Sequence, residues 1–398
     1  MKKTVVLSFL FAAILIGVSC SKDKDNTVPV ADPYAAIKAA FGTNIDPSNL
    51  ANYANQPVPG YITRDNTGSN PITNTRATLG RVLFYDKNLS IDNSISCASC
   101  HKQEFAFSDT AIASAGVAGG FTARHSMRLV NARFAAETKF FWDERAATLE
   151  EQTTKPIKDH AEMGFSGQNG RPGIASLLSK LQGIGYYKEL FKFVYSDTAV
   201  TEPRLQECLA QFVRSIQSFD SKFDAGRAQV PNDAQPFPNF TQAENAGKQV
   251  FMAPPVFDAA GNRISGGAGC AGCHKAPEFD IDPNTKNNGI IGRIVPGGGI
   301  DITVTRAPSL RDLINNNGMQ NGPLMHTGNL ATPQNAIGHY GTINIAPGNT
   351  NLDPRLTPGG IGQKLNFNAQ EVNNLIAFLR TLSGSNMYTD RKWGNPFL

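Results

Sequence analysis

Two short runs constrain this chain more than anything else in it: Cys97-Ala98-Ser99-Cys100-His101 and Cys270-Ala271-Gly272-Cys273-His274. Two thiols one helical turn apart, followed at once by an imidazole, can add across the two vinyl groups of a haem while the imidazole binds its iron. Each run therefore predicts one covalently bound haem c: Cys97 and Cys100 with His101 on the iron, and Cys270 and Cys273 with His274. A zinc site would want a second ligand pair close by in sequence, and neither run has one. The 398 residues leave room for two or three domains around these cofactors, and 37 glycines and 24 prolines suit long loops wrapped around them. A formal charge of +4 is too slight to imply a nucleic-acid partner.

The N-terminus reads as a targeting segment. Lys2 and Lys3 precede an apolar run, Val5 to Val18, that is short for a bilayer span and ends at Ser19-Cys20. Ile16-Gly17-Val18-Ser19-Cys20 is similar to a lipobox, with Gly17 where a leucine is usual, and a polar stretch follows it. The expectation is a lipoprotein signal peptide over residues 1–20, lipidation of Cys20, export to the periplasm and anchoring to the outer membrane. With four cysteines on the haems and Cys20 on the anchor, Cys208 is left as a buried free thiol in an amphipathic stretch.

Residues 21–75, rich in Asn, Pro, Thr and Gly, read as a tether over the surface with a short helical pattern at Tyr34 to Phe41. A helix at Leu79 to Asp86 leads into the first haem run. The Gly- and Ala-rich loop 110–123 after it has no hydrophobic period, so it is mobile or folded over the haem. Thr148 looks like a helix start with acids in the first turn. Amphipathic helices at about 173–193 and 202–222 close a first domain, 76–230. Pro231, Pro236 and Pro238 mark a linker, and a second domain, 240–398, closes with a helix at Ala369 to Leu382.

The second half repeats the first. Asn245 to Phe251 echoes Leu79 to Phe84, and Thr305 to Leu310 echoes Arg124 to Leu129. Met325 to Gln334 lies over Phe141 to Glu150 without a gap. This predicts a mostly α fold of two tandem cytochrome c-like domains related by pseudo-twofold symmetry.

From about Thr78 to Leu382 the chain resembles the bacterial dihaem cytochrome c peroxidase family, including its protein-oxidising MauG-like branch. The paired haem runs, Phe141-Trp142-Asp143-Glu144-Arg145-Ala146, Gln152, Glu162-Met163-Gly164 and His326 carry the resemblance. It implies that the N-terminal haem is the peroxide site, with His101 below the iron, Glu162 as distal carboxylate, Gln152 as distal amide and Trp142 between the haems. Heterolysis of the O–O bond needs a base for the first peroxide proton and donors for the developing charge. Classical members of the family hold the resting iron with a histidine on the loop after the first haem run, but residues 106–123 contain none. His125 is the nearby candidate, yet it aligns with the family position that supplies an Asn to a calcium between the domains. The first haem is therefore expected to be open, and the calcium doubtful, with carbonyls of Asn321 and Pro323 as its remaining donors.

For the second haem the resemblance gives His274 below the iron and, in the peroxidases, a methionine a fixed distance beyond the position of His326. That distance lands on Tyr340, with His339 and Met325 as rivals. Tyrosine there is the MauG-like arrangement, and a phenolate favours oxidised iron. The implied function is a dihaem oxidoreductase reducing hydrogen peroxide at the N-terminal haem, with electrons relayed through the C-terminal haem from a small cytochrome c or a cupredoxin. The alternative is a MauG-like enzyme that uses peroxide to oxidise Trp or Tyr of a partner protein. A dihaem electron carrier without peroxide chemistry would need both irons saturated, and would leave Glu162 and Gln152 without a role.

Overall fold

A computed structural model describes residues 1–4, 32–136, 139–294 and 299–398; Cys20 and its lipobox lie outside them. None of the described helices is long and apolar enough to cross a membrane. The fold is mostly α, with eleven α-helices and two small two-stranded sheets among the described residues.

In the first half, α1 (Ala35–Phe41) precedes α2 (Asn74–Tyr85), whose Thr73 cap accepts a hydrogen bond from the Arg76 amide at 3.2 Å. The single-turn α3 (Cys97–Cys100) carries the first pair of thiols. α4 (Leu149–Lys158) starts where the sequence places it: Thr148 accepts from the Glu151 amide, and Glu150 and Glu151 face the positive end of the helix dipole. The pattern read as one helix over 173–193 is two, α5 (Ile174–Gly183) and α6 (Gly185–Tyr195), because Ile184 between two glycines is extended. α7 (Glu202–Ser215) stops well short of 222. Ile216 turns extended, and the Ser218 amide is taken by the Asn131 side chain at 2.8 Å. α8 (Lys222–Arg227) then starts afresh with a reciprocal Ser221/Asp224 cap.

The second half contains α9 (Gln242–Met252), α10 (Pro333–Gly341) and α11 (Ala369–Arg380). Between α9 and α10, β1 (Pro255–Phe257) pairs antiparallel with β2 (Arg263–Gly266), and β3 (His274–Lys275) with β4 (Asp280–Ile281). The repeat seen in the sequence recurs as local structure. α2 packs on α7 so closely that a Cβ on Gly80 would lie 2.0 Å from the Cys208 carbonyl oxygen, and α9 packs on α11 so that one on Gly247 would lie 1.9 Å from that of Asn374. Aligned positions share left-handed backbone, Asn131 with Asp312 and Phe141 with Met325. Thr332 caps α10 as Thr148 caps α4.

Two apolar cores follow. One gathers side chains from α1, α2, α4, α5, α6 and α7; the other gathers Phe223, Phe237, Phe240, Phe251, Phe279, Phe378 and their neighbours. The chain therefore passes from one core to the other near residues 217–222, ahead of the proline-rich stretch that composition marked as a linker. That stretch is packed: Phe237 and Phe240 belong to the second core. Nor is 35–75 a surface tether, because Ile37, Phe41, Ile45 and Tyr53 are buried in the first core. The C-terminal tail returns to the same core, with Trp393 buried and its Nε1 donating to the Ser215 carbonyl at 3.1 Å.

Candidate active site

The first haem run is fixed from both ends. Ser96 and Ser99 cap α3 reciprocally. Beyond His101, left-handed Ala106 and Phe107 turn the chain back so that the His101 Nδ1 donates to the Phe107 carbonyl at 2.9 Å. With Nδ1 so occupied, Nε2 is the nitrogen left for iron, and burial lowers the pKa of the ring so that it is a neutral ligand. Cys97, Cys100 and His101 line an apolar cavity of about 190 Å³ whose wall also includes Trp142, Gln152 and Glu162. The distal residues inferred from spacing thus converge on one space.

Glu162 is positioned by backbone. Its amide donates to Asp159 Oδ1 at 3.0 Å and its carbonyl accepts from the Val117 amide at 3.0 Å. Burial pushes its carboxyl up to about 7, the charge of Asp159 adds to this, and Arg145 opposes it. At the position of α4 that aligns with Tyr340 in the second half stands Pro156, also on the cavity wall, which has no group to offer iron. His125, the other candidate for the distal ligand, turns its ring elsewhere: Nδ1 is 2.9 Å from the Ala111 carbonyl and Nε2 is 3.5 Å from Ser108 Oγ.

The second run lines a larger cavity, about 710 Å³, with Cys270, Cys273 and His274 on its wall and Tyr340 and Met325 among the other lining residues. Burial drives His274 down to about 4. The Asn288 amide donates to the Tyr340 hydroxyl and lies the same 3.2 Å from the Met325 sulfur. His339 is not on this wall; its Nε2 is spent on the Asn288 carbonyl at 2.9 Å. Burial raises the Tyr340 phenol, and the Asn288 donor works against that by favouring the phenolate. The four thiols are pushed up by burial, Cys97 and Cys270 to about 12 and Cys100 and Cys273 to about 11, the reverse of a redox dithiol.

Trp142, His125, Arg128 and Arg306 lie on the walls of both cavities. Trp142 is 8% exposed, its Nε1 donates to the His125 carbonyl at 2.7 Å, and its ring centroid is 6.1 Å from that of His326. The buried Nε of Arg128 has no partner among the described residues, which suits a cavity built for a cofactor with acidic side groups. Arg145, Arg128 and Arg306 stand within runs that the sequence singles out but were given no role there, and Asn288 escaped the sequence reading because it acts on its cavity through chain-distant neighbours, with no local pattern around it. Two haem c groups fit this donor set: buried neutral imidazoles, thiols at the required spacing and apolar walls.

Calcium does not fit as well. Asn321 is fully buried with its amide on the Asp312 carbonyl and the Tyr388 hydroxyl, and its Oδ1 has no partner among the described residues. Around the next residue, however, stand the Asp109 carbonyl and the His125 imidazole, 2.2 and 3.3 Å from where a Gly322 Cβ would be. The Asp109 carboxylate is committed to Lys102 and Ser114. Neutral carbonyls and an imidazole are a poor set for so hard a cation.

Fold and cavities together define a two-haem c-type cytochrome of the kind that acts on a small oxidant. Residues 74–229 match the family model of the di-haem cytochrome c peroxidases. The chain is 30% identical to the methylamine utilization protein MauG of Methylophilus methylotrophus, over 79% of this chain and 84% of that one. It is 27% identical to the cytochrome c551 peroxidase of Nitrosomonas europaea, over 77% and 80%. Among solved structures, a MauG-like protein associated with microbial copper homeostasis superposes with a TM-score of 0.66 at 25% identity, covering 86% of this chain and 99% of that one. The chain belongs to the di-haem cytochrome c peroxidase family. It is a peroxidase-type oxidoreductase carrying two c-type haems, with hydrogen peroxide as one partner and an electron donor or a protein substrate as the other.

Proposed function

We propose that hydrogen peroxide is reduced at the N-terminal haem and that electrons reach it through the C-terminal haem. The observation that carries this reading is the convergence of Glu162 and Gln152 on the His101 cavity, with Pro156 where the second half has Tyr340. Haem bound to Cys97, Cys100 and His101 supplies an iron at which the O–O bond can be broken. Glu162, as carboxylate, takes the proton from the bound peroxide and returns it to the departing oxygen, so that water leaves. The Gln152 amide donates to the oxygen on which negative charge grows. Trp142, packed on the walls of both cavities, gives electrons a short polarisable path between the two sites. The exchanged hydrogen bonds across the seam, His125 amide to His326 carbonyl at 2.8 Å and Arg306 amide to Trp142 carbonyl at 3.2 Å, pair aligned positions reciprocally. They support a pseudo-twofold relation between the halves, as in an isologous dimer. Export and an anchor at Cys20 belong to the same reading, since a c-type haem protein of this kind works outside the cytoplasm.

Tyr340 favours a second reading. A phenolate on the second iron suits an oxidised state better than it suits accepting electrons from a donor cytochrome, so the oxidising equivalents would be withdrawn from Trp or Tyr side chains of a partner protein. One experiment separates the two: stoichiometric peroxide added to the fully ferric protein, followed optically. Immediate oxidation of both haems supports the partner-oxidising enzyme, whereas reaction only after one-electron reduction supports the peroxidase. The starting ferric spectrum also tests the ligand, because a methionine-to-iron charge-transfer band there would remove Tyr340 from the second iron.

A further inference from the structure

Beside the first haem cavity stands a group of tyrosines that the chemistry above leaves unused. Tyr186 and Tyr187, adjacent on α6, both donate their phenolic hydrogens to a single oxygen, Asp86 Oδ2, at 2.7 and 2.8 Å. Their rings are 4.8 Å apart. Asp86 is 3% exposed and follows directly on α2, whose Phe84 lines the first haem cavity. Tyr187 is fully buried in the same apolar core as Phe84, and Cys97, where the first haem attaches, packs against that core.

Asp86 Oδ2 satisfies the buried Tyr187 hydroxyl in the core and at the same time sets a base beside its proton. The other oxygen, Asp86 Oδ1, accepts from the Asn88 amide and caps the short turn at residues 87–89. Oδ2 serves the two phenols. A phenol gives up an electron readily only when its proton can leave at the same time, and a buried carboxylate already hydrogen-bonded to it is the base that allows this. From Tyr187 a line of rings runs outward, Phe191 at 6.3 Å and then Tyr195 stacked on Phe191 at 6.0 Å, to a half-buried phenol beneath Arg204.

We propose that Tyr187, with Tyr186 sharing its base, is a redox site that takes over an oxidising equivalent from the first haem when no outside electron arrives. One electron passes from Tyr187 to the peroxide-oxidised haem, which is reduced by one. The Tyr187 O–H bond breaks, its proton goes to Asp86 Oδ2, and a neutral phenoxyl and a carboxylic acid remain. Tyr186 can refill Tyr187 by the same exchange, one electron with one proton, moving the radical toward the surface. This rests on peroxide reacting at the first haem.

The test is the ferric holoprotein mixed with one equivalent of peroxide without reductant, frozen rapidly and read by electron paramagnetic resonance alongside the optical spectrum. An organic radical signal is expected whose hyperfine pattern collapses when the protein is made with ring-deuterated tyrosine. The signal should be lost in the Tyr186→Phe/Tyr187→Phe double variant, which keeps both rings in the core, while the oxidised haem decays more slowly. Asp86→Asn, which keeps an acceptor for the Asn88 amide but no strong base, should delay the radical. A signal indifferent to the deuterated label, or one of full yield in the double variant, overturns the proposal while leaving the peroxide reading intact. No optical change at either haem of the ferric protein overturns the proposal and the partner-oxidising reading together, and no optical change even after one-electron reduction overturns the peroxide reading itself.

Discussion

A carboxyl that titrates near neutrality is useful only if its base form is the working one, and the environment of Glu162 makes that testable. Burial raises it to about 7, well above the ~4.3 of a free glutamate. In its proposed role the carboxylate takes a proton from peroxide, so the rate of peroxide consumption should fall as pH drops through about 7. Glu162→Gln should slow it by roughly 10²–10⁴-fold and flatten that limb, with both haems retained. Stability runs the other way. A carboxyl whose folded pKa lies above its unfolded one contributes stability below the unfolded value and loses it as pH rises through 7, so at pH 8 the glutamine variant should melt no lower than the wild type. An unchanged pH profile would remove Glu162 from the proton transfer. The resemblance singled out Glu162 and Gln152 by their spacing from Trp142, and both line the first cavity; Asn288, between Asn287 and Gly289, was not legible, since its place comes from facing Tyr340 across the fold.

At the scale of elements, the loop over 110–123 shows how a segment without hydrophobic period can still be fixed. It is held by close approach of backbone and by the one buried apolar side chain of Val117. A Cβ on Gly116 would lie 1.9 Å from the Ala161 carbonyl oxygen, and one on Gly120 would lie 2.5 Å from the same atom. The loop therefore clamps the strand of chain that carries Glu162, and the alternative of a mobile loop gives way to the folded one. Gly116→Ala must push the two segments apart, and a displacement of about 1 Å in a reacting group can cost on the order of 10²-fold in rate. The expected outcome is a fall of that order in peroxide turnover with both haems still attached, measured beside the haem absorbance; an unaltered rate would show that the clamp does not position Glu162. Helix starts were readable from Thr148 and its acids. The break at Ile184 and the end of α7 were not, since they are decided by flanking glycines and by the Asn131 side chain reaching the Ser218 amide. Burial of Ile37 and Phe41 was hidden by the polar composition around them, which outweighed four well-spaced apolar side chains.

In the molecule as a whole, each cavity has its own Cys-x-x-Cys-His run and a similar local scaffold, and a few side chains differ between them. Pro156 stands for Tyr340, and Trp142 stands where the second half has His326. The seam is where the halves must cooperate. Arg124 joins Asp143 of the first half to Asp301 of the second at 2.6 and 2.8 Å, and Trp142 is tied by its indole hydrogen to the His125 carbonyl while its own carbonyl receives the amides of Thr305 and Arg306. Trp142→Phe would keep an aromatic side chain in the wall but remove the indole, its anchoring hydrogen bond and its easily oxidised ring. Peroxide should then still react at the first haem at close to the wild-type rate, because Glu162, Gln152 and His101 are untouched. On the partner-oxidising reading, oxidation of the second haem should lag behind it, and the two spectral changes that this reading expects to rise together in the wild type should separate in time under stopped-flow mixing. Were the two still to rise together, electrons would be crossing the seam by some other path, and the position of Trp142 between the cavities would be a matter of packing alone.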